Sequence, residues 1–279
     1  MLKQRVITGF ILAVGFLAAL FALPTYGFIA LITAVLAFAA WEWSHLAGLA
    51  STAGRGFYMF AVVAIAATLG AYIGFEQNIL LAEKPRFLLL LACTWWAIAV
   101  LWVQSYPSSA ILWGRRWVCL LMGVFVLLPM WLAFAGLMSL AEGPQLVLAV
   151  VLLVALADIG GYFVGRAIGR TKLAPKVSPG KTWEGLLGGQ LAIAIVVVAS
   201  GWFLDFEASR ISLWLGLAMV TGLASVLGDL LESMVKRHRG VKDSGTILPG
   251  HGGVLDRIDG LTAALPMFSL VLSLLYSRL

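Results

Sequence analysis

Charge is what this sequence has least of. Asp, Glu, Lys and Arg make up 11% of its residues and hydrophobic side chains 62%, a balance that excludes a soluble globular domain. Cysteine is scarcer still: Cys93 and Cys119 both fall inside apolar runs, without metal-type spacing, and read as packing residues rather than a disulfide. No low-complexity linker or internal repeat divides the chain, so one membrane-embedded domain over 1–279 is expected. No A-x-A site follows the first apolar run, and a second run begins just after Pro24. A retained first helix is therefore expected in place of a cleaved signal peptide.

What fills the chain instead is apolar helix. Crossing a bilayer takes about 20 mostly apolar residues, and nine runs can be placed: 6–23, 26–48, 57–74, 86–104, 117–139, 145–168, 184–204, 211–234 and 255–277. Pro24, Pro85, Pro107, Pro144 and Pro179 fall between runs, where no helical hydrogen bond is lost. Pro129 and Pro266 lie inside runs and are expected to kink them. The expected fold class is all-α, a polytopic integral membrane protein with about nine transmembrane helices. Residues 1–140 would be scaffold and 145–279 the motif-bearing catalytic half.

The few charges are unevenly shared. Alternating sides from the N-terminus, fifteen of the nineteen Lys and Arg residues fall on one side, which leaves Lys84, Arg86, Arg210 and Arg278 opposite, with Glu76, Glu83, Glu142, Asp205 and Glu207. The positive-inside rule then puts the N-terminus and both large basic segments in the cytoplasm. Trp41, Trp43, Trp95, Trp96, Trp102, Trp113 and Trp117 gather toward predicted helix ends and are expected as interfacial anchors. Glu42 and His45, late in the second helix, read as scaffold, although Glu42 is near enough to the cytoplasmic end to line a site.

The remaining polarity is concentrated in three segments. The sixth run ends in A-D-I-G-G-Y-F-V-G-R, with Asp158 eight residues before Arg166, roughly 12 Å deeper along a helix. A carboxylate at that depth needs a partner, a cation or water, and is expected to be functional. Gly161, Gly165 and Gly169 recur every four residues and read as a close-packing face. The second segment, T-K-L-A-P-K-V-S-P-G-K-T-W-E-G, contains a G-K-T, but Pro175 stands where a P-loop needs glycine and no strand is expected before it. It reads as a flexible basic loop with Lys172, Lys176 and Lys181, followed by Ser178, Thr182 and Glu184 at a helix start that favours anions.

The third segment runs from the end of the eighth helix into the ninth. Ser225, Asp229 and either Glu232 or Ser233 share one helix face. Lys236, Arg237, Arg239 and Lys242 follow, then Asp243, a Gly/Pro-rich turn around His251, and Asp256, Arg257 and Asp259. His251 reads equally as a turn residue or a phosphate contact. Bases to grip a polyphosphate and acids to hold a divalent metal make up the inventory of a nucleotide site at a membrane surface.

The run S-x-x-K-R-x(4)-K-D-x-G-x(2)-L-P-G-H-G-G-x-L-D-R-x-D, Ser233 to Asp259, resembles the signature of the phosphatidate cytidylyltransferase family, the CDP-diacylglycerol synthases. D-I-G-G-Y-F-x-G at Asp158, S-P-G-K-T-W-E-G at Ser178 and G-D-L-x-E-S at Gly228 resemble flanking motifs, so the match is dense in the C-terminal half. The resemblance implies cytidylyl transfer from CTP to phosphatidate, giving CDP-diacylglycerol and pyrophosphate. It also implies a homodimer among membrane lipids with no nucleic-acid partner, in a bacterial inner membrane with the site facing the cytoplasm. Under it, Asp229, Asp256 and Asp259 are the expected Mg²⁺ ligands, with Asp158 in or behind the shell, and a monovalent cation such as K⁺ is implied beside them. Lys236 and Lys242 are the expected catalytic bases of charge, and Lys181, Ser178, Thr182, Glu184, Ser233, Arg237, His251 and Arg257 the expected substrate contacts. A CTP-dependent polyprenol kinase would use a similar surface. A transporter would spread its polar groups through the membrane depth.

Overall fold

The computed structural model describes residues 2–74 and 77–276; Glu76 and Arg278 from the charge count lie outside them, as do the side chains of Lys3 and Arg5. Nine long helices coincide with the nine apolar runs: α1 (Leu2–Ala22), α2 (Thr25–Leu46), α3 (Thr52–Ile73), α4 (Glu83–Gln104), α6 (Arg116–Met138), α7 (Gly143–Ile168), α8 (Trp183–Phe203), α9 (Ala208–Arg239) and α10 (Leu255–Leu275), with one short turn, α5 (Ala110–Trp113), between α4 and α6. Among the described residues, eight of them, α2 to α10 without α5, are long and apolar enough to cross a membrane, and the described apolar part of α1, Val6–Ala22, is shorter. The chain is an all-α integral membrane protein.

Side chains divide as a bilayer requires. Phe10, Phe57, Phe60, Leu191, Ile195 and Phe203 are exposed, and lipid is the solvent that suits them. Pro129 and Pro266 do lie within α6 and α10. Helix α6 is the most enclosed element, and it binds α2 and α3 through buried indole and phenol groups. Trp43 Nε1 donates to the Cys119 carbonyl at 2.8 Å and Tyr58 Oη to the Leu120 carbonyl at 2.8 Å. In lipid the helices gain no hydrophobic drive toward each other, so such bonds and close packing hold them together.

Three of the expected interfacial tryptophans belong to this interior. Trp43, Trp96 and Trp113 are fully buried, whereas Trp117 is exposed. Spacing along a run tells how far a side chain is from a helix end, not which way it faces.

Two features carry the polar segments. Lys172 to Thr182 is an antiparallel hairpin, β1 (Lys172–Ala174) and β2 (Ser178–Thr182), where a flexible loop was expected. Its strands pair because Val177 is buried at the turn and Glu184 accepts from the Arg170 and Thr171 amides, each at 3.1 Å. The second feature is length. Helix α9 has 32 residues, roughly 48 Å at 1.5 Å per residue, against about 30 Å of hydrocarbon. Its last turns, Lys236 to Arg239, therefore stand beyond the apolar layer and meet the hairpin, where Arg237 Nε donates to the Val177 carbonyl at 3.2 Å.

Both basic segments thus share one end of the bundle. In a cysteine-free background, cysteines at the exposed positions Lys176 and Thr246 should be labelled by an impermeant maleimide from one side of the membrane, and one at Ala208 from the other. Labelling of 176 and 246 from opposite sides would contradict this arrangement.

Candidate active site

Three carboxylates converge from three helices. Asp158 on α7, Asp229 on α9 and Asp259 on α10 are close enough to interact electrostatically with one another. Helices α9 and α10 approach closely because Gly228 lies against the Asp259 carbonyl, where a Cβ would collide with backbone. Asp229 accepts from Ser233 Oγ at 3.0 Å, one turn along the same face, and pairs with Lys181 Nζ of β2 at 2.5 Å. The hairpin therefore delivers its lysine into the acid cluster.

A cavity of about 350 Å³ opens beside this cluster between α7, β2 and α8, lined by Asp158, Tyr162, Arg166, Ser178, Lys181 and Thr182. An apolar groove of about 390 Å³ shares Leu173, Leu186 and Val226 with it and extends along α4 and α9 past Val103, Leu223 and Leu230. Beyond α9, a polar cavity of about 530 Å³ is lined by Lys242, Asp243, Thr246, His251 and Arg257. His251 Nδ1 is buried there without a hydrogen-bond partner.

Several expected contacts turn out to be engaged elsewhere. Asp256, an expected metal ligand, has both oxygens occupied: Lys236 Nζ donates to Oδ1 at 2.7 Å, and the Ser244 and Gly253 amides donate to Oδ2 at 2.9 and 2.8 Å. Lys236, an expected catalytic base of charge, is buried between Asp256 and Glu232, the latter at 3.2 Å. In this structure its ammonium neutralises these two acids. Thr182 is buried and caps α8 by accepting from the Gly185 amide at 3.1 Å. Glu184 holds the hairpin base, as described above, and Arg237 holds the hairpin turn. Lys242, Arg257 and Lys181 remain as bases facing cavities, with Ser178 and Asp158.

The oxygen donors present fit a divalent cation. Among the described residues no three His, Cys, Asp or Glu side chains form a preformed metal cage; Mg²⁺ binds through one or two carboxylates together with substrate phosphates. Asp229 and Asp259, with Asp158 beside them, supply such oxygens, and the Lys181 ammonium lying on Asp229 shows that this point attracts positive charge. Sequence reasoning read Glu42 as scaffold near enough to line a site and gave it no partner. Its carboxylate, buried in α2, reaches Ser244, Val254 and Leu255, and the acid in an apolar run was the signal that something would meet it.

Residues 3–275 match the family model described as "Cytidylyltransferase family". The chain belongs to that family. It is 44% identical over 275 residues to the phosphatidate cytidylyltransferase of Pseudomonas aeruginosa, covering 98% of this chain and 97% of the relative. The Haemophilus influenzae protein of the same name is 41% identical, covering 96% of this chain and 98% of its own length. The Staphylococcus aureus one is 46% identical over 132 residues, about half of each chain (47% and 50%).

The pairing of Lys236 gives a direct test. Removing one partner of a buried ion pair typically costs about 3–5 kcal/mol, and here two acids would be left uncompensated. Lys236→Met should lower the thermal midpoint of the detergent-purified protein sharply, whereas Lys242→Ala, at an exposed position, should leave it within about 1 kcal/mol of wild type.

Proposed function

We propose that this protein transfers the cytidylyl group of CTP to phosphatidate, forming CDP-diacylglycerol and pyrophosphate. The observation that carries the reading is the acid cluster with Lys181 beside a cavity that shares Leu173, Leu186 and Val226 with an apolar groove, in a chain related over nearly its whole length to proteins named for that reaction. A lipid phosphate and a nucleotide triphosphate must meet at one point, and here a cavity lined by Asp158, Arg166 and Lys181 shares wall residues with an apolar groove.

A phosphate oxygen of phosphatidate attacks the α-phosphorus of CTP. The bond from that phosphorus to the bridging oxygen breaks, and pyrophosphate leaves with the electron pair. The nucleophile carries close to two negative charges at neutral pH and needs no proton removed, so the protein's task is alignment and charge neutralisation. Lys181 reaches the cavity from the hairpin to balance phosphate charge. Lys242 and Arg257 offer the same to the β- and γ-phosphates from the second cavity, with His251 Nδ1 available there. The acyl chains lie along Val103, Leu223 and Leu230 of the apolar groove. Mg²⁺, held by Asp229 and Asp259, would supply neutralising charge to the phosphates and to the leaving pyrophosphate. The acids exceed what one such ion needs, which leaves oxygens, Asp158 among them, for the monovalent cation implied by the resemblance. The N-terminus and both basic segments face the cytoplasm of a bacterial inner membrane, by the charge count, and the protein works as a homodimer.

No covalent nucleotidyl-enzyme is expected. Ser244 Oγ donates to Glu42 and Ser233 Oγ to Asp229, which is already paired with Lys181. Neither has a neighbouring imidazole among its hydrogen-bond partners.

The test is to supply purified protein with phosphatidate, Mg²⁺ and CTP labelled at either the α- or the γ-phosphorus. Label from the α-position should enter the lipid, with pyrophosphate released in equal amount; γ-label in the lipid would mean a CTP-dependent lipid kinase instead. Asp229→Asn should lower kcat by about a hundredfold or more while the protein still purifies as a folded species. A folded variant keeping a tenth of the wild-type rate would remove Asp229 from the site. Labelled pyrophosphate should not exchange into CTP until a lipid substrate is added, and exchange in a lipid-stripped preparation would contradict direct transfer.

A further inference from the structure

Glu42 is a fully engaged acid that comes from the N-terminal half of the chain. It lies on α2, about 200 residues before its partners in the chain, and is 1% exposed. Oε1 accepts from the Val254 amide at 3.1 Å, and Oε2 from the Leu255 amide at 2.8 Å and from Ser244 Oγ at 3.2 Å. These partners are neutral, so a buried carboxylate is held by hydrogen bonds and by the positive end of α10, where two of the helix's unpaired amides point at it.

The surrounding sequence is shaped to let the carboxylate in. A Cβ added at Gly245 or at Gly253 would collide with the Glu42 carboxyl group. Two glycines of the matched signature are therefore accounted for by a side chain from the other half of the protein. The rotation of α2 that aims Glu42 is itself fixed by the next residue, Trp43, bonded to the Cys119 carbonyl of α6.

The contacts also form a chain. Glu42 holds the Ser244 hydroxyl, the Ser244 amide is held by Asp256, and Asp256 is held by Lys236, which is paired with Glu232. The segment from Lys242 to Leu255 is thus clamped by two carboxylates, one from its own helix and one from the N-terminal half. That segment carries Lys242 and His251 into the polar cavity and leads directly into Arg257.

We propose that Glu42 is a positioning residue for the reaction, clamping the Lys242–Leu255 segment so that Lys242, His251 and Arg257 face the phosphates of the nucleotide. It touches no substrate and acts through Ser244 and the first amides of α10. Because these bases meet the nucleotide and not the lipid, its loss acts on CTP and spares phosphatidate. The inference rests on the reading above, in which CTP is the nucleotide.

The experiment compares full-length wild type, Glu42→Gln and Ser244→Ala in lipid nanodiscs, by steady-state kinetics and by hydrogen exchange. Gln keeps the size but replaces one acceptor oxygen with an amide group that cannot accept from a backbone N–H. Glu42→Gln should raise the CTP KM by about tenfold or more with the phosphatidate KM within about twofold of wild type, and should speed exchange at residues 244 and 253–255 while the amides of α6 stay protected. Ser244→Ala, which removes one of the three bonds, should move the CTP KM the same way by a few-fold, and it decides the matter if Glu42→Gln does not fold. A folded Glu42→Gln protein with unchanged exchange in 243–256, or with a CTP KM within about twofold of wild type, would overturn the proposal, as would equal increases in both KM values. Wild-type protein inactive with CTP and phosphatidate would instead sink the reading above, while the exchange comparison still reports whether Glu42 clamps the segment.

Discussion

A charge held away from water must be matched, and the fold of the C-terminal half follows from that constraint. Lys236 is buried between Glu232 and Asp256. Stripping an ion of water costs several kcal/mol even after relaxation, which only close pairing and further hydrogen bonds offset. The lysine on α9 and its acid on α10 therefore have to meet, and the fifteen residues between the two helices (240–254) must fold back to let them. The spare lone pairs of Asp256 shape that return, taking the amides of Ser244 and Gly253. One ion pair thus sets the spacing of two helices and the path of the signature between them.

The same constraint sorts the acids by task. Glu42, Glu184 and Asp256 each accept from backbone amides of other segments and so tie the framework together, whereas the amide bonded to Asp259 is that of the next residue, Gly260. Asp158, Asp229 and Asp259 repel one another across the meeting point of α7, α9 and α10, with Lys181 as the nearby cation from β2. Like charges gathered in this way are costly unless something positive joins them. The cluster is therefore suited to a ligand that brings cations with it, as a metal-bound nucleotide does. In the linear sequence the six acids look alike, and only their hydrogen-bond partners separate them.

What could be read from the sequence is what depends on local pattern. Apolar runs of about 20 residues are set by membrane thickness, so the long helices among the described residues fall on the expected runs, eight of them long and apolar enough to span, and the alternation of basic loops put both polar segments at one end. The Ser233–Asp229 contact follows from helical spacing alone. Legibility failed where a third element decides. The hairpin at 172–182 depends on Glu184 and Arg237 reaching it from α8 and α9. Trp43 and Trp113 are interior because α6 and His238 receive them, the latter with ring centroids 4.8 Å apart. The two amide donors of Asp256 come from a loop whose path the linear sequence does not give.

The N-terminal helices, finally, do more than fill the membrane. A site that handles polyphosphate must stay at the wet end of the bundle, where loops are least constrained by packing. Yet aligning two phosphates tolerates little looseness, since misplacement by an ångström is enough to cost a large factor in rate. The arrangement answers both demands by anchoring exposed loops to side chains from inside the helices: Glu42 from α2 at the signature turn and Trp113 from α5 against the end of α9. A short run of polar sequence then stands on a rigid base it could not build itself.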